Sequence, residues 1–204
     1  MSKSPWDLSE KEISELLAQA REQPHQYSYP EELLGETAKP AAVLIPFLRD
    51  DSEWHILFTR RTDTLPEHSG QVAFPGGRAD PGDNSPEATA LREAYEEIAL
   101  RAEDVKILGK LKKIPTITNY WVTPVIGKIP WPYSFTLAQE EVSRVFTIPL
   151  SWLANATHFE IRQREISDYF APLAVIYFNT YDGEVLWGVS AQITLNLIQA
   201  LRLY

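Results

Sequence analysis

Three glutamates within five positions, Glu93, Glu96 and Glu97, are the residues of this 204-residue chain whose type and spacing point most directly to chemistry. At about 100° per residue they fall within about 100° of one another on a helix, opposite Leu91, Ala94, Tyr95 and Ile98. The plain alternative is the solvated face of an amphipathic helix. Two features count against it. Glu93 repels Glu96 and Glu97 at the i,i+3 and i,i+4 separations, and all three sit towards the helix C-terminus, where the dipole favours cations. Arg92 is a single counter-charge for three carboxylates, whereas hard divalent cations such as Mg²⁺ or Mn²⁺, which prefer oxygen ligands, would remove the conflict.

Those carboxylates need a rigid carrier. Ser85 is a suitable N-cap, Pro86 fits the first helical position, and Glu87 complements the positive end of the dipole. Just upstream, Gly76 and Gly77 end an expected strand at 71–74 and permit a backbone path that lets main-chain groups approach a ligand closely. Arg60 and Arg61 close a strand expected at 54–60 and are candidates for a bidentate grip on phosphate, with a surface cation as the alternative for one of them. His68, in the loop Glu67-His68-Ser69-Gly70, is a further candidate for phosphate; otherwise it is an exposed loop histidine.

The remaining elements frame this segment. Ser9 and Glu12 form a capping box ahead of Ile13, Leu16, Leu17 and Ala20, which predicts an amphipathic helix to about Arg21. Residues 23–39 read as a connection with a helical turn near 31–34, so the division expected is 1–39 for the N-terminal helix and connecting segment and 40–204 for the catalytic domain. Strands are expected at 41–48, 54–60, 71–74, 105–111, 121–129, 142–148, 171–180 and 184–187. Tyr181-Asp182-Gly183 makes a hairpin turn, and Ser190 is expected to cap a final helix through Leu201. The class is α+β, a mixed sheet with flanking helices.

Composition narrows the partners. With 19 Lys plus Arg against 28 Asp plus Glu, the net charge of −9 argues against a sequence-independent grip on nucleic acid. Polyphosphates remain accessible if metals, not the protein's charge, meet them. The absence of cysteine excludes disulfides, zinc-thiolate sites and a thiol nucleophile, and fits a reducing cytoplasm. The N-terminus lacks the apolar stretch of a secretory signal, and the run 41–48 is too short to span a bilayer, so no membrane role is expected.

The acidic segment resembles a Nudix box: Gly, five residues, Glu, seven residues, then Arg-Glu-apolar-any-Glu-Glu-any-Gly-apolar. Arg92-Glu93-Ala94-Tyr95-Glu96-Glu97-Ile98-Ala99-Leu100 matches its second half. The departures are Asp83 for the first Glu, eight residues between Asp83 and Arg92, and Ala99 for the Gly. The resemblance implies a Nudix fold, a mixed β-sheet sandwiched between helices (α/β/α), and a metal-dependent pyrophosphohydrolase. It implies Mg²⁺ or Mn²⁺ on Glu93 and Glu97, and Arg92 among the catalytic residues. Glu96 would be a further ligand or the base that deprotonates water; Glu140 and Glu141 are alternatives for that base.

Upstream, Leu57-Phe58-Thr59-Arg60-Arg61-Thr62, Gly70 and Phe74-Pro75-Gly76-Gly77 resemble the coenzyme A pyrophosphatase subfamily, with Arg61 and the glycines in register and Pro66 at the position of that pattern's second Arg. Phe146 to Leu153 and Leu186-Trp187-Gly188-Val189-Ser190-Ala191 resemble it too. The implied substrate is a small nucleoside diphosphate compound, coenzyme A or a derivative, split into 3′,5′-ADP and a 4′-phosphopantetheine product. ADP-ribose, NADH and dinucleoside polyphosphates are alternatives. A nucleotide sensor would be expected to lose box carboxylates, and an isopentenyl diphosphate isomerase would want a cysteine. Tyr95, Tyr120 and Trp121 are candidates for stacking on adenine, with core packing as the alternative. The N-terminal helix lies outside the resemblance and either packs on the domain or helps a homodimer form.

Overall fold

A run such as 41–48, with no charged residue, suits a strand covered on both faces. The computed structural model, which describes residues 7–21, 23–35, 37–51, 53–64, 68–165 and 172–203, places this run in the middle of strand β1 (Lys39–Asp50). Its side chains alternate strictly, as the period of two requires: Ala41, Ile45 and Phe47 enter one core, and Ala42, Leu44 and Leu48 enter another.

Two kinds of pairing make the sheet mixed. On one edge β1 runs parallel to β7 (Tyr120–Lys128), with Ala41 opposite Val122. On the other edge it pairs first with β4 (Gly76–Arg78) and then, further along, with β2 (Glu53–Arg61), both antiparallel. Because β1 exchanges one partner for the other midway, the end of β2 that carries Arg60 and Arg61 diverges from it. There β3 (Val72–Ala73) takes the place of β1, while β8 (Val142–Pro149) pairs with the other edge of β2 from His55 to Arg61. Strands β5 (Lys106–Lys110) and β6 (Ile114–Pro115) pair with β7. A separate hairpin joins β9 (Phe159–Arg164) to β10 (Leu173–Phe178).

Helices cover both faces. Helix α2 (Pro86–Ile98) packs Ala90, Ala94 and Ile98 against Leu44 and Val125. On the opposite face lie α1 (Glu10–Ala20), the short α3 (Leu150–Leu153) and α4 (Gly188–Ala200), around a core with Ile13, Leu17, Ile45, Phe58 and Leu197. The expected α+β sandwich is therefore the fold. The expected capping box is present, Ser9 receiving the Glu12 N–H while the Glu12 carboxylate receives the Ser9 N–H at 2.7 Å.

Several expectations need correction. Ser190 is not the cap of the last helix: α4 begins at Gly188, and the Ser190 carbonyl accepts the Thr194 hydroxyl at 2.8 Å inside its first turn. Gly188 takes φ 64°, which lets the chain turn into the helix early. The 184–187 strand reduces to isolated bridges, Tyr181 with Glu184 and Tyr177 with Trp187. The two-residue turn between Tyr181 and Glu184 is real, with Asp182 at φ 50° and Gly183 at φ 82°, both left-handed as such a tight hairpin demands. Gly76 and Gly77 begin strand β4 instead of ending one. Strand β9 went unexpected because its side chains are largely exposed and carry no inward apolar alternation. Pro66, Glu67 and the first residue of the expected 171–180 strand lie outside the described residues. Among those described, no helix is long and apolar enough to cross a membrane.

Candidate active site

Helix α2 starts where local chemistry places it. The Ser85 hydroxyl accepts the Ala88 N–H at 3.1 Å, and Pro86 occupies the first turn. The helix stops at Ala99, which adopts the left-handed conformation at φ 55°. Two carbonyls near its end are taken by the loop that follows β7: Ala138 N–H donates to Glu97 O at 2.9 Å, and Thr136 N–H to Ile98 O at 3.3 Å. That loop is tied in turn to the end of β2, since Thr62 N–H donates to Glu141 O at 3.0 Å and its hydroxyl to Glu140 O at 3.1 Å. Three distant segments thus meet at the last turn of α2.

The three glutamates do not share one open face. Glu97 is only 5% exposed, whereas the Glu96 side chain is 55% exposed; Glu93 lies between. The 100° that separates Glu96 from Glu97 is enough to leave one in solvent and turn the other under β4. Contact with β4 requires glycine. A methyl group on Gly77 would come within 2.6 Å of the Glu93 carboxylate, and one on Gly76 within 2.5 Å of the Ala42 carbonyl oxygen.

Burial pushes the Glu97 carboxyl up to about 8, helped by the charges of Glu93 and Glu141 and opposed by Arg61 and the Gly76 N–H. Burial raises Glu93 too, with Arg92 opposing and Glu96 and Glu141 adding to the shift. Of the two loop acids, Glu141 is thus the one whose charge reaches both buried carboxylates.

Arg92 answers the deficit of positive charge only partly. Its guanidinium bonds Glu93 Oε1 at 2.9 Å and Glu96 Oε2 at 3.0 Å, and grips both oxygens of Asp83 at 3.3 and 3.0 Å. A further bond to the Arg78 carbonyl at 3.0 Å fastens the strand–loop–helix unit. The guanidinium holds the Asp83 carboxyl down at about 2. The longer spacing to Asp83 is therefore absorbed in the loop without loss of the clamp. Glu96 faces Arg92 and does not line the cavity described next.

A cavity of about 450 Å³ opens where β2 parts from β1, and Arg61, His68, Gly76, Gly77 and Glu97 all line it. Arg61 Nε is buried with no hydrogen-bond partner among the described residues, a donor in want of an acceptor. His68 is held by Gln71, ring Nδ1 to Oε1 at 3.0 Å. Arg60 is diverted elsewhere: it pairs with Asp63 at 2.7 Å and with Glu184 at 3.3 Å, so of the two arginines it is the structural one. Sequence reasoning missed Tyr29, Arg78, Thr116 and Ile117 as cavity residues, although the 186–191 motif pointed to the α4 end of the wall.

The stacking candidates divide. Tyr120 lines the cavity. Trp121 lies under the Lys113 ammonium, 4.3 Å from its ring centre. Tyr95 is neither core nor cavity: it is 58% exposed, over a separate shallow hollow on the outer side of α2.

Among the described residues no three His, Asp or Glu side chains close around one point. A Mg²⁺-like ion does not require such a cage, since it is commonly held by one or two carboxylates together with substrate phosphates and water. Glu93 and Glu97 fit that role: both are oxygen donors, desolvated and mutually repelling, with Glu97 lining the cavity and Glu93 behind the lining residue Gly77.

Comparisons with known proteins agree with this arrangement. The NUDIX domain pattern matches residues 38–185. Proteins named Uncharacterized Nudix hydrolase NudL from Yersinia pestis (strain Pestoides F) and Yersinia pseudotuberculosis serotype O:1b (strain IP 31758) are each 39% identical over 170 residues, 82% of this chain and 82% of theirs. The crystal structure of a MutT/nudix family protein from Enterococcus faecalis superposes with a TM-score of 0.52 at 15% identity, covering 87% of this chain and 66% of that one, a likeness of fold. A family match over most of its length and relatives 39% identical across 82% of it show that the chain belongs to the Nudix family of hydrolases, enzymes that act on diphosphate bonds with divalent metal ions.

Proposed function

We propose that the protein cleaves the diphosphate of coenzyme A or one of its derivatives, giving 3′,5′-ADP and a 4′-phosphopantetheine product. The observation that carries this reading is the meeting of a buried Glu97, the unpartnered Arg61 Nε and the glycine pair in one cavity of about 450 Å³, within the usual range for a small-molecule site. The coenzyme A assignment rests on the motifs at 57–77, 146–153 and 186–191.

Glu93 and Glu97 would hold Mg²⁺ or Mn²⁺, which neutralises diphosphate oxygens and acidifies water. Arg61 supplies its guanidinium to a phosphate oxygen and fixes the phosphorus for attack. Water adds to one phosphorus, the bridging P–O bond breaks, and the water proton passes to a carboxylate. Glu141 suits that role because the Thr62 bonds hold its backbone beside the buried pair; Glu96, exposed and paired with Arg92, is the alternative.

Incubation with Mg²⁺ or Mn²⁺ and a panel of coenzyme A, acyl derivatives, ADP-ribose, NADH and dinucleoside polyphosphates, with products identified by mass, tests the reading. Coenzyme A should be cleaved with the highest kcat/KM, and 3′,5′-ADP should appear. Turnover of none would leave a nucleotide sensor, and a clear preference for ADP-ribose would overturn the substrate.

A further inference from the structure

The family match ends at residue 185 and begins at residue 38, yet the cavity is closed from beyond both limits, by Tyr29 on one side and by Gly188 to Ser190 and Ile193 on the other. The segment that carries Tyr29 is firmly placed. Asn196 of α4 bonds both main-chain groups of Tyr27, accepting its N–H at 3.2 Å and donating to its carbonyl at 2.7 Å. The Gly35 N–H donates to Asn119 Oδ1 at 2.9 Å, and the His25 ring meets the Lys112 carbonyl at 2.7 Å.

Charge is segregated along the cavity. Arg61, His68, Arg78 and Glu97 come from β2, the loop after it, β4 and α2, whereas the lining residues from 23–35, 116–120 and α4 include no ionisable side chain except tyrosine. Strand β1 gives the distance between these ends. Val43 is opposite Gly76, and Lys39 is opposite Tyr120. Arg78 is opposite Ala41, so two to four residues of strand rise, roughly 7 to 13 Å, separate the charged end from Tyr120. An extended substituent on the diphosphate would span that length.

We propose that the wall of Tyr29, Ile117 and the first turn of α4 seats the uncharged, amide- and methylene-bearing arm of the substrate, an inference that rests on the diphosphatase reading above. Among the described residues no cation lines this end; Arg164, whose charge reaches Tyr29, lies over the Trp187 ring and bonds the Tyr177 hydroxyl at 3.3 Å. Of the aromatic side chains at this end, Tyr120 is partly exposed and lines the cavity. Trp187 is stacked flat on Tyr177, with centroids 5.5 Å apart and 2° between the planes. Tyr29 exposes only 8% of its surface, while Ile117 exposes 50% and offers aliphatic contact. Tyr29 is thus a specificity residue, acting on which half of the substrate is held.

Calorimetric titration of the full chain with 4′-phosphopantetheine and, separately, with 3′,5′-ADP tests this without turnover. Tyr29→Ala should weaken 4′-phosphopantetheine at least tenfold and leave 3′,5′-ADP within twofold, while Tyr29→Phe stays near wild type for both. With coenzyme A as substrate, Tyr29→Ala should raise KM tenfold or more and keep kcat within threefold. Ile117→Ala, at the exposed rim, should reproduce the same selective loss in a fold that is not at risk. Equal weakening of both ligands, weakening of 3′,5′-ADP alone, or no change in either variant overturns the proposal. Wild-type protein that binds 4′-phosphopantetheine through this wall but cleaves no diphosphate would instead overturn the catalytic reading alone.

Discussion

Glu97 occupies a position at which ionisation is unfavourable, and this makes its contribution measurable without substrate. Its ordinary value of 4.5 applies to the unfolded chain, whereas burial raises it to about 8 in the fold. Below pH 4.5 both states hold the proton, so it has no effect on stability. Between 4.5 and 8 the unfolded chain releases a proton that the fold retains, and metal-free stability falls by at most about 1.4 kcal/mol per pH unit. Above 8 the penalty is complete. Glu97→Gln should therefore stabilise the metal-free protein by about 1 to 4 kcal/mol at pH 8 and by almost nothing at pH 4, as read by urea denaturation at the two pH values. Hydrolysis should fall by about a hundredfold or more. A variant that melts far earlier at pH 8 would identify the carboxylate as structural. The sequence made the three glutamates legible through their mutual repulsion. It did not rank them, because helix angle alone says nothing of which side β4 covers.

At the scale of elements, helix α2 was readable because its signals are local: Ser85, Pro86 and the spacing of Ala90, Ala94 and Ile98. Its far end holds an anomaly. Ala99 has φ 55°, a conformation that costs an L-residue about 1 to 2 kcal/mol. Ala99→Gly should raise the melting temperature by about 2 to 4 °C with activity unchanged, since glycine's own entropic cost offsets part of the relief. Gly77→Ala tests the contact between β4 and α2. The added methyl meets a Glu93 carboxylate already fastened to Arg92, so α2 must shift outward. A loss of about tenfold to a hundredfold in kcat/KM is expected with a smaller change in melting temperature; wild-type activity would mean that the glycine is dispensable. Strands β4 and β6, of three and two residues, were not legible because runs so short carry no periodicity. The same holds for the destinations of Arg60 and Arg61, which neighbouring positions sent to opposite uses.

For the molecule as a whole, a mixed sheet with flanking helices followed from pattern and its two helical layers from the Nudix resemblance, whereas the far wall of the cavity followed from neither, since it joins residues remote in sequence. Asn196, 3% exposed, is the side chain that makes this join. Asn196→Ala removes two hydrogen bonds to the Tyr27 main chain and should lower stability by about 2 to 3 kcal/mol, a fall of several degrees in a thermal melt. Coenzyme A should then bind more weakly even though no residue near the metal ligands has changed. An unchanged melt would show that water replaces the amide. The partners Tyr27 and Asn196 stand 169 positions apart, so the earlier one leaves the ribosome long before the later one. A growing chain could assemble its acidic helix and its glycine turn while still tethered, but the pocket would stay unfinished on one side until α4 emerged. Translation order alone would then delay full hold on a substrate until α4 has left the ribosome.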